Sequence, residues 1–523
     1  MNQTPKKSAI KHALPVTREA DFAAWYQAVI AEAELAEESG VRGCMVIRPW
    51  GYGIWERIQA LMDAEIKAAG VQNCYFPLFI PLSFFEKEAA HVEGFAKEMA
   101  VVTHHRLIAD TSPGAKGGLV PDPEAKLEEP LVVRPTSETV IGAAMSRWIQ
   151  SWRDLPMLTN QWANVVRWEM RTRMFLRTSE FLWQEGHTAH ATRADAMDET
   201  MRALEMYRAF AEGPLAMPVV AGEKPENERC PGAVATDSIE AMMQDGKALQ
   251  AGTSHYLGTG FAEASGIRFQ DREGTQQLCH TTSWGVSTRL IGGLIMTHGD
   301  DDGLRVPPQV APFQVVILPM LRDGPDDDDV LEAAKALASE IGAQTAFGER
   351  VRVKLDLGAT KASTKRWSWV KKGAPLIIEI GPRDVAAGVV PLVRRDRLYT
   401  SEGRLSSASI ERAEIAEAVV AALADMQQNL YAEARDRRDA AIRPMRDWSE
   451  VETYFAGDEV AVKGWARVAW SKPTGAALDA VEARLKALKL TIRNTPLGEP
   501  VPDAPCLFTG EPAVETIYLG RSY

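Results

Sequence analysis

The clearest pattern along the chain is a pair of short runs in which apolar and polar residues alternate, separated by a basic segment. The first run, NVVRWE, begins at Asn164, and the second, FLWQ, begins at Phe181. Alternation with a period of two predicts strands that bury one face. The sequence therefore predicts a β-hairpin with a basic loop, and four arginines belong to it: Arg167, Arg171, Arg173 and Arg177.

Helical periodicity predicts further elements around this hairpin. Helices are expected at 21–39, 51–69, 194–212 and 410–441, and Gly70 is a typical stop for the second. The apolar run CYFPLFIPLSFF at 74–85 predicts a buried strand, and RPTSE at 134–138 predicts a turn into a capped helix. The small residues that follow Leu249 are typical of a loop between strands. From Phe313 onward, alternating strands and helices predict an α/β unit.

Composition narrows the class of protein. A chain of 523 residues is too long for one hydrophobic core and predicts about three domains. Hydrophobic residues make up 46% and charged residues 25%, as in ordinary soluble proteins. No apolar run approaches the ~18 residues of a membrane span, and the basic N terminus lacks the apolar part of a secretory signal. A cytoplasmic protein without a membrane partner is expected.

The charge distribution bears on nucleic-acid binding, and the cysteine spacing bears on disulfides and zinc. The net charge of −12 argues against uniform nucleic-acid binding, but residues 351–400 hold eleven Lys and Arg against four acids. That local excess favours contact with a phosphate backbone, and a basic solvated face is the simpler alternative. Five cysteines without a CxxC pair predict reduced thiols rather than disulfides or a zinc knuckle: Cys44, Cys74, Cys230, Cys279 and Cys506.

The hairpin carries candidate chemistry on one face of each strand. Arg167 and Glu169 are two residues apart, so a strand would present both on one side. There a guanidinium can bind phosphate oxygens, and a carboxylate can hold magnesium or an amine. Trp183, Glu185 and His187 alternate in the same way and suit a pocket wall. A half-buried hairpin with a solvated basic turn explains the same pattern without chemistry.

Three stretches, namely RPTSE at 134–138, the hairpin segment FLRTSEFLWQEGHTAHAT and the run from Thr281 to Pro312, together resemble the class II aminoacyl-tRNA synthetases, and among them the prolyl-tRNA synthetase family. The hairpin with FLRTSEFLWQEGHTAHAT is similar to motif 2, and TTSWGVSTRLIGGLIMTHGDDDGLRVPPQVAP from Thr281 is similar to motif 3. The helix and strand around Pro77 resemble motif 1. The resemblance extends from about Val41 to the C-terminal tyrosine. No Walker A, GxGxxG, HIGH, KMSKS, HExxH or GxSxG motif indicates a different chemistry.

The resemblance implies a fold, a reaction and partners. The fold is α/β: an α+β catalytic core on the class II synthetase antiparallel sheet with flanking helices, an α/β anticodon-binding domain and a small α+β C-terminal domain. These domains would span residues 1–310, 311–425 and 426–523. The protein would be a homodimer through motif 1. It would activate L-proline with ATP and transfer it to tRNA(Pro), releasing AMP and diphosphate.

The resemblance also assigns roles to single residues. Arg167, Glu169 and Arg289 would be catalytic, with Arg289 one turn into an apolar helix, and magnesium would bind through Glu169 and Gln250. Tyr523 would approach the active site as the family's terminal tyrosine does. L-Proline would contact Thr136, Glu138, Arg167, Trp183, Glu185, His187, His255, Phe261 and Ser283. ATP would contact Arg167, Glu169, Arg177, Thr178, Phe181, Gln250, Thr253 and Arg289. The anticodon would contact Lys372, Glu379 and Arg383.

The chain departs from common family patterns at two places. About sixty residues separate His190 from Gln250, too few for the editing domain of many bacterial members. A short archaeal- and eukaryote-like form that does not correct mischarged alanine in cis is therefore expected. The C-terminal domain keeps Cys506, but Thr509 stands at the neighbouring ligand position, so zinc is not expected there. HTAH at 187–190 is predicted on a strand, so no zinc site is expected there either.

The size of a proline pocket predicts imperfect selectivity, and two other functions remain as alternatives. Because a missing methylene changes binding by only ~1–3 kcal/mol, a proline pocket should also activate some cysteine or alanine. Another class II synthetase, such as the threonyl enzyme, is one alternative, although WQEGH lacks the cysteine that its zinc pocket needs. A catalytically silent relative that binds tRNA is the other. The presence of Arg167, Glu169 and Arg289 argues against it.

Overall fold

The largest sheet of the chain has eight strands and carries the candidate site. The computed structural model describes residues 12–86, 98–113, 117–457 and 463–523. Across the sheet the strand order is β8-β4-β5-β6-β7-β3-β2-β1, and every neighbouring pair is antiparallel except β1 with β2. In chain order these strands are β1 (Gln72–Asn73), β2 (Met157–Val166), β3 (Glu180–His190), β4 (Val219–Glu223), β5 (Ala235–Met242), β6 (Ala248–Gly258), β7 (His280–Ser287) and β8 (Thr495–Pro496).

Three helices lie next to this sheet. Helix α1 (Glu138–Trp148) follows the predicted turn, α2 (Arg193–Glu212) packs across strands β3 to β7, and α3 (Arg289–His298) follows β7 directly. Apolar side chains of α2 join the main hydrophobic core, where Tyr207 meets Trp284 of β7 edge to face. The predicted hairpin β2–β3 and helix α2 are confirmed as elements, although β2 ends at Val166, inside the predicted run at 164–169.

The N-terminal helices differ in how closely they match prediction. Helix Pro49–Ala68 ends just before Gly70, whose φ of +83° is the left-handed conformation that glycine tolerates best. Helix Phe22–Glu32 is shorter than the predicted 21–39. The chain instead enters strand Ala36–Glu38, which pairs with Met45–Ile47.

The prediction of one buried strand at 74–85 is wrong. Only Phe79–Pro81 is a strand, and Leu82–Glu86 is helical. Proline has no backbone N–H, so Pro77 and Pro81 interrupt strand pairing. The side chains of Tyr75 and Phe79 are 74% and 48% exposed, so this segment is not a core strand in the single chain. Its partner strand is Lys126–Val133, which also pairs with Ala100–His104.

An α/β unit follows the eight-stranded sheet, as predicted from Phe313 onward. Its first three strands across the sheet are parallel and the last two are antiparallel. In spatial order they are Val353–Leu355, Val315–Pro319, Leu376–Ile380, Val389–Arg394 and Ala408–Glu411. Its helices are Asp327–Gly342, Ala362–Lys372 and Pro382–Ala387.

A long helix joins this unit to the C-terminal part of the chain. Helix α4 (Ile415–Ala441) begins later than the predicted residue 410, because Ala408–Glu411 pairs as a strand. The helix runs unbroken past residue 425. A four-stranded sheet then follows, with its own core and the helices Trp448–Phe455 and Ala476–Ala487. Its strands, in spatial order, are Ile442–Pro444, Trp465–Trp470, Glu515–Gly520 and Thr491–Ile492.

The C-terminal part also completes the eight-stranded sheet. Strand β8 pairs with β4, where Gly222 lies opposite Pro496. A Cβ on Gly222 would come within 2.1 Å of the Thr495 carbonyl oxygen, so this close pairing requires glycine. The C-terminal part of the chain is therefore joined to the strands at 219–287 by a shared sheet.

Short elements complete the described chain. Helix Gly260–Ser265 follows β6. None of the helices in the described parts has both the length and the apolar character needed to cross a membrane. The remaining strand pairs are Leu107–Ala109 with Leu119–Pro121, Arg268–Gln270 with Gln276–Leu278, and Thr345–Ala346 with Glu349–Arg350.

Candidate active site

A cleft lies over the centre of the eight-stranded sheet and has two connected parts. The first pocket, of about 290 Å³, extends over β3, β6 and β7. The second pocket, of about 440 Å³, extends toward the hairpin loop and the C-terminal residues. The two share five lining residues and so form one cleft: Arg167, Phe181, Gln250, Ser287 and Arg289.

A buried carboxylate forms one wall of the first pocket. Glu185 accepts hydrogen bonds from Ser137 Oγ at 2.6 Å and Gln161 Nε2 at 2.7 Å, and its other oxygen lies 3.0 Å from His187 Nε2. Gln161 is the partner of Glu185 in the β2–β3 register. Three polar groups thus hold this carboxylate in place, which a buried charge requires. His187 supports Glu185 and does not line either pocket.

A second carboxylate lies at the start of α1. Glu138 is the first residue of the helix, where the positive end of the helix dipole favours an anion. Thr136 Oγ1 donates to one of its oxygens, and Ser283 Oγ donates to the other at 3.2 Å. The predicted helix start is confirmed. Ser137 occupies the N-cap position, but its hydroxyl bonds to Glu185 instead of capping the helix.

Arg167 lies where the two pockets meet. Its Nε donates to the Pro135 carbonyl at 2.9 Å, and its guanidinium carbon lies 5.7 and 5.5 Å from the ring centroids of Phe181 and Trp183. Burial lowers the pKa of Arg167, and the negative charge of Glu138 acts in the opposite direction. A partly desolvated arginine between two aromatic rings is well placed to bind an anion.

The loop after β2 holds Glu169 differently from the prediction. Strand β2 ends at Val166, so strand alternation does not place Arg167 and Glu169, and that interpretation is wrong. Glu169 accepts hydrogen bonds from the Arg171 N–H at 2.7 Å and from Arg177 Nη2 at 2.8 Å. Burial alone would raise the pKa of Glu169, but these donors bring it below its usual value. The pair Glu169–Arg177 lines the second pocket.

Arg289 is the first residue of α3 and not, as predicted, one turn inside the helix. Its Nε donates to the Leu176 carbonyl at 3.2 Å. Burial and the positive charges of Arg167 and Arg177 lower the pKa of Arg289, whereas the carboxylate of Glu240 acts to raise it. Arg289 therefore lies in a positively charged part of the cleft.

Strand β6 supplies the opposite wall. The small residues after Leu249 had predicted a loop, which is wrong, since they form a central strand. A Cβ on Gly252 would lie 2.9 Å from Val286 Cγ1, so small residues here allow close strand packing. His255 lies 3.0 Å from Thr236 Oγ1, and burial lowers its pKa to about 4, against the effect of Glu138. His255 is therefore neutral at neutral pH.

Most of the predicted site residues come together in this cleft. Of the residues expected at ATP, Thr253 lines only the first pocket and the others line the second. Phe261 lines neither pocket; a Cβ on Gly232 would lie 3.0 Å from its ring, so it packs behind the loop at 228–232. Seven residues expected at proline line the first pocket: Thr136, Glu138, Arg167, Trp183, Glu185, His255 and Ser283.

Several lining residues escaped the sequence analysis. Glu228, Arg229 and Cys230 cover the first pocket from the loop before β5, and Trp284 of β7 forms part of its wall. The alternation of TTSWGVS could have indicated Trp284, because it places Trp284 on a buried face. Nothing local marks Arg493, which reaches the second pocket from the C-terminal domain.

The terminal residue lies where it was expected. Tyr523 lines the second pocket, and its hydroxyl donates to Asp245 Oδ2 at 2.5 Å. Its backbone N–H donates to the Ala248 carbonyl at 3.1 Å. The guanidinium of Arg173, in the hairpin loop, lies 5.6 Å from the centroid of its ring.

The predicted anticodon residues occupy different environments. Lys372 Nζ lies 2.5 Å from Glu34, so it contacts the N-terminal part of the catalytic core. Glu379 is the penultimate residue of strand Leu376–Ile380 and accepts a hydrogen bond from Arg366 at 2.7 Å. Arg383 lies near the start of helix Pro382–Ala387.

The expected remnant of a zinc site lies in the C-terminal core. Hydrogen bonds from Ser471 and Thr509 lower the pKa of Cys506, although burial alone would raise it. The hydroxyls of Ser471 and Thr509 are themselves 2.9 Å apart. Within the described residues, no group of three or more His, Cys, Asp or Glu side chains could hold a metal ion.

Comparisons with known proteins agree with this geometry. The tRNA synthetase class II core domain (G, H, P, S and T) family matches residues 122–298, and the anticodon binding domain family matches residues 314–421. A proline–tRNA ligase from Sphingopyxis alaskensis is 72% identical over 98% of this chain and 96% of its own length. A proline–tRNA ligase from Novosphingobium aromaticivorans is 70% identical over 98% of this chain and 99% of its own length.

A solved structure extends the comparison to the fold. The crystal structure of prolyl-tRNA synthetase from Cryptosporidium parvum, complexed with halofuginone and AMPPNP, superposes with a TM-score of 0.85. It is 34% identical and covers 98% of this chain and 99% of its own. The chain matches two synthetase family models, is 72% identical to a proline–tRNA ligase over almost its whole length, and shares the fold of a solved prolyl-tRNA synthetase. It therefore belongs to the prolyl-tRNA synthetase family of class II aminoacyl-tRNA synthetases.

Proposed function

We propose that the first pocket binds L-proline and the second binds ATP, so that the cleft is the adenylation site of this proline–tRNA ligase. The observation that carries this assignment is the position of Arg167. It lines both pockets and lies where the carboxylate of proline and the α-phosphate of ATP would meet. A guanidinium can bind oxygens of both groups at once.

At the proline end, two carboxylates and an aromatic wall define the substrate. Glu138, supported by Thr136 and Ser283, would accept the secondary ammonium of proline. Trp183 and Glu185 would shape the space around the ring. His255 is neutral, so it does not compete with the ammonium for Glu138. In this arrangement His187 and Phe261 act indirectly, the first through Glu185 and the second through the loop at 228–232.

At the nucleotide end, Phe181 and Arg289 would enclose adenine, while Arg177 and Thr178 face the phosphates. A proline carboxylate oxygen then attacks the α-phosphorus, the bond to the diphosphate breaks, and prolyl-adenylate remains. A ribose hydroxyl at the 3′ end of tRNA(Pro) next attacks the prolyl carbonyl and releases AMP. No side chain needs to be a nucleophile, so catalysis rests on positioning and charge stabilisation.

The second pocket has a donor set that fits magnesium. Glu169 and Gln250 both line it, and Mg²⁺ typically takes one or two protein oxygens together with phosphate and water. Bound there, the ion would neutralise charge on the departing diphosphate. Glu169 would then exchange part of its contact with Arg177 for the ion.

The test of this site is ATP–diphosphate exchange without tRNA, measured with each of the twenty amino acids. We expect proline to be strongly preferred and the Arg167→Ala variant to lose exchange. Cysteine or alanine should also be activated measurably, since size alone discriminates weakly. Discrimination beyond about 10⁵-fold against both would contradict this pocket. Full activity of the Arg167→Ala variant would refute the assignment of the cleft.

We also infer the short form without a cis-editing domain. Residues 191–247, between β3 and β6, form α2, β4 and β5, all of which pack into the catalytic core. No separate domain fits in this interval. Preformed alanyl-tRNA(Pro) should therefore lose its alanine no faster with the protein than in buffer.

The homodimer is a further proposal and rests on exposed apolar residues near motif 1. A second copy of this chain would bury them, as an interface between copies requires. Light scattering should give twice the mass of one chain, and Tyr75→Glu should reduce that mass. The exposed residues are Tyr75, Phe79, Val101, Leu107 and Leu119.

Two further proposals concern the domain boundaries and the cellular location of the protein. The boundary proposed at residue 310 separates the two matched families, and the boundary at 425 falls inside α4, so the last two domains share a rigid helix. Charging of tRNA takes place in the cytoplasm, where we place the protein. Fractionation of cells that express a tagged copy tests this placement.

A further inference from the structure

Three buried charges lie where the C-terminal domain meets the catalytic sheet. Glu240 of β5 is fully buried, and its Oε1 is 2.6 Å from Lys224 Nζ. Its Oε2 accepts hydrogen bonds from Arg493 Nη2 at 2.8 Å and Nε at 3.3 Å. The side chains of Lys224 and Arg493 are only 1% and 6% exposed. Removing one member of such a group leaves the others poorly compensated.

Arg493 also reaches the cleft. It follows strand Thr491–Ile492, and its Nη1 donates to Thr491 Oγ1 at 2.6 Å. Arg493 lines the second pocket together with Gln250 and Arg289, although it belongs to the C-terminal domain. Part of the wall of the second pocket therefore comes from outside the catalytic core.

Glu240 connects Arg493 to the other two residues. Across the β5–β6 pair, Glu240 lies opposite Gln250, with a register shift directly before Glu240. Such a bulge commonly redirects side chains next to a functional site. Arg289 is repelled by two neighbouring arginines, and Glu240 acts on it with the opposite sign. If Arg493 were absent, the carboxylate would retain Lys224 and the Ser238 hydroxyl on Oε1 but no partner on Oε2, and it would attract Arg289 more strongly.

The C-terminal residues reinforce this connection from the other side. The Ala248 N–H donates to the Arg521 carbonyl at 2.7 Å, and the Tyr523 N–H donates to the Ala248 carbonyl at 3.1 Å. Ala248 begins β6 and precedes Gln250 by two residues. The C-terminal domain thus holds both the start of β6 and, through Glu240, the strand beside it.

We propose that Arg493 is a positioning residue for ATP, which, by pairing with Glu240, keeps Arg289 and Gln250 in place at the second pocket. The inference rests on the proposed binding of ATP in that pocket. Arg493 contacts no reacting atom in this arrangement. Its effect should therefore appear in the use of ATP and not in the use of proline.

The experiment measures KM for ATP and for proline in ATP–diphosphate exchange on the full chain. For Arg493→Ala we expect KM for ATP to rise about tenfold, within the range shown by contacting buried charges, and KM for proline to stay within about twofold. Arg493→Lys keeps the charge but loses the forked contact, so a rise of about threefold is expected. Adding Glu240→Gln to Arg493→Ala should bring KM for ATP back toward the wild-type value, because the uncompensated carboxylate is gone.

A matched control separates positioning from loss of domain docking. Asn494 belongs to the same segment and donates to the Val220 carbonyl at 2.9 Å, but it does not line the cleft. Asn494→Ala should lower the unfolding temperature without changing KM for ATP. An equal rise in KM for ATP in Asn494→Ala and Arg493→Ala would show that docking alone matters and would overturn the inference.

Arg289→Ala distinguishes this inference from the proposed site. If it raises KM for ATP and Arg493→Ala does not, Arg493 has no positioning role although the ATP site stands. If Arg289→Ala leaves KM for ATP unchanged, the ATP site itself is misassigned and the inference falls with it. Should Arg493→Ala fail to fold, Arg493→Lys decides: an unchanged KM for ATP in that variant counts against the inference.

Discussion

The indole of Trp284 lies directly against Gly186 across the β3–β7 pair. The two residues are opposite in the register, and a Cβ on Gly186 would come within 2.2 Å of the indole ring. Trp284 also meets Tyr207 of α2 edge to face and forms part of the wall of the first pocket. The absence of a side chain at position 186 therefore lets the indole pack between the sheet and α2, on the strand that also carries Ser283 of the first pocket.

This contact predicts that Gly186→Ala impairs proline use. The methyl group would push the indole and strand β7, which carries Ser283 of the pocket wall, out of position, and overpacking of this kind typically costs about 1–3 kcal/mol of stability. We expect kcat/KM for proline in the exchange reaction to fall at least about tenfold, because the pocket wall moves. Gly260→Ala is the control, since a Cβ at that position meets no atom within 4 Å. Equal activity of the two variants would show that Trp284 tolerates displacement.

The carboxylate of Glu185 gives a second prediction. Glu185→Gln keeps the shape but replaces one acceptor oxygen with a donor, so either Ser137 and Gln161 lose their acceptor or His187 Nε2 has to accept a hydrogen bond instead of donating one. An unsatisfied buried polar group costs about 1–3 kcal/mol, and denaturant unfolding should show a loss of that size. KM for proline should rise as well. Glu205→Gln, on the exposed face of α2, should change the free energy of unfolding by less than about 0.5 kcal/mol.

The magnesium assignment can be tested at Glu169. We expect Glu169→Gln to raise the Mg²⁺ concentration for half-maximal exchange about tenfold, because a neutral amide is a weaker ligand than a carboxylate. KM for proline should be little changed. Glu180→Gln is matched to it: Glu180 lies in the same hairpin and accepts from Asn164 at 2.8 Å, but it lines neither pocket. An identical Mg²⁺ dependence in both variants would remove Glu169 from the magnesium site.

What the sequence could predict depends on how local the signal is. Helix α2 follows from helical periodicity and was predicted to within one residue, whereas alternation predicted the β2–β3 hairpin but placed the start of β2 seven residues too late. The strand β6 was missed because its small residues match a loop in isolation. Its strand conformation depends on pairing with β5 and β7 on either side.

The site was predictable only in part for the same reason. Residues within the motifs, such as Glu138 and Arg289, could be found because the motifs are contiguous. Arg493 contributes to the second pocket only because β8 pairs with β4, more than 250 residues earlier in the chain. Arg167 was expected on a strand and lies just after one, since β2 stops pairing at Val166. Contacts between distant segments leave no local pattern.

Recognition of tRNA gives a fourth prediction. Arg383 is a candidate anticodon contact, and its removal in Arg383→Ala should raise KM for tRNA(Pro) about fivefold in aminoacylation while exchange without tRNA is unchanged. Lys335→Ala, on an exposed position of the same domain, is the control. Lys372 pairs with Glu34 of the catalytic core, so Lys372→Ala should affect stability more than tRNA affinity. Unchanged tRNA kinetics in Arg383→Ala would remove this residue from the anticodon site.

The buried carboxyl of Asp237 predicts how stability depends on pH. Burial and the charge of Glu223 raise the pKa of Asp237 to about 6, with Arg229 acting against them. Because the folded-state pKa lies above the unfolded value of 3.8, the group favours folding below pH 3.8, and this contribution is lost as the pH rises through about 6. The difference corresponds to about 3 kcal/mol at neutral pH.

Asp237→Asn should therefore raise the free energy of unfolding by about 1–3 kcal/mol at pH 8 and by almost nothing at pH 3.5, if both proteins are folded there. Denaturant unfolding at a series of pH values between these limits measures the effect, and the gain should grow mainly between pH 4 and 6. The exposed Asp328→Asn is the control and should show no such dependence. If Asp237→Asn were instead less stable than the wild type at pH 8, the favourable contacts of the carboxylate would outweigh the cost of burying it. The folded-state pKa of Asp237 would then lie below 3.8 and not above it.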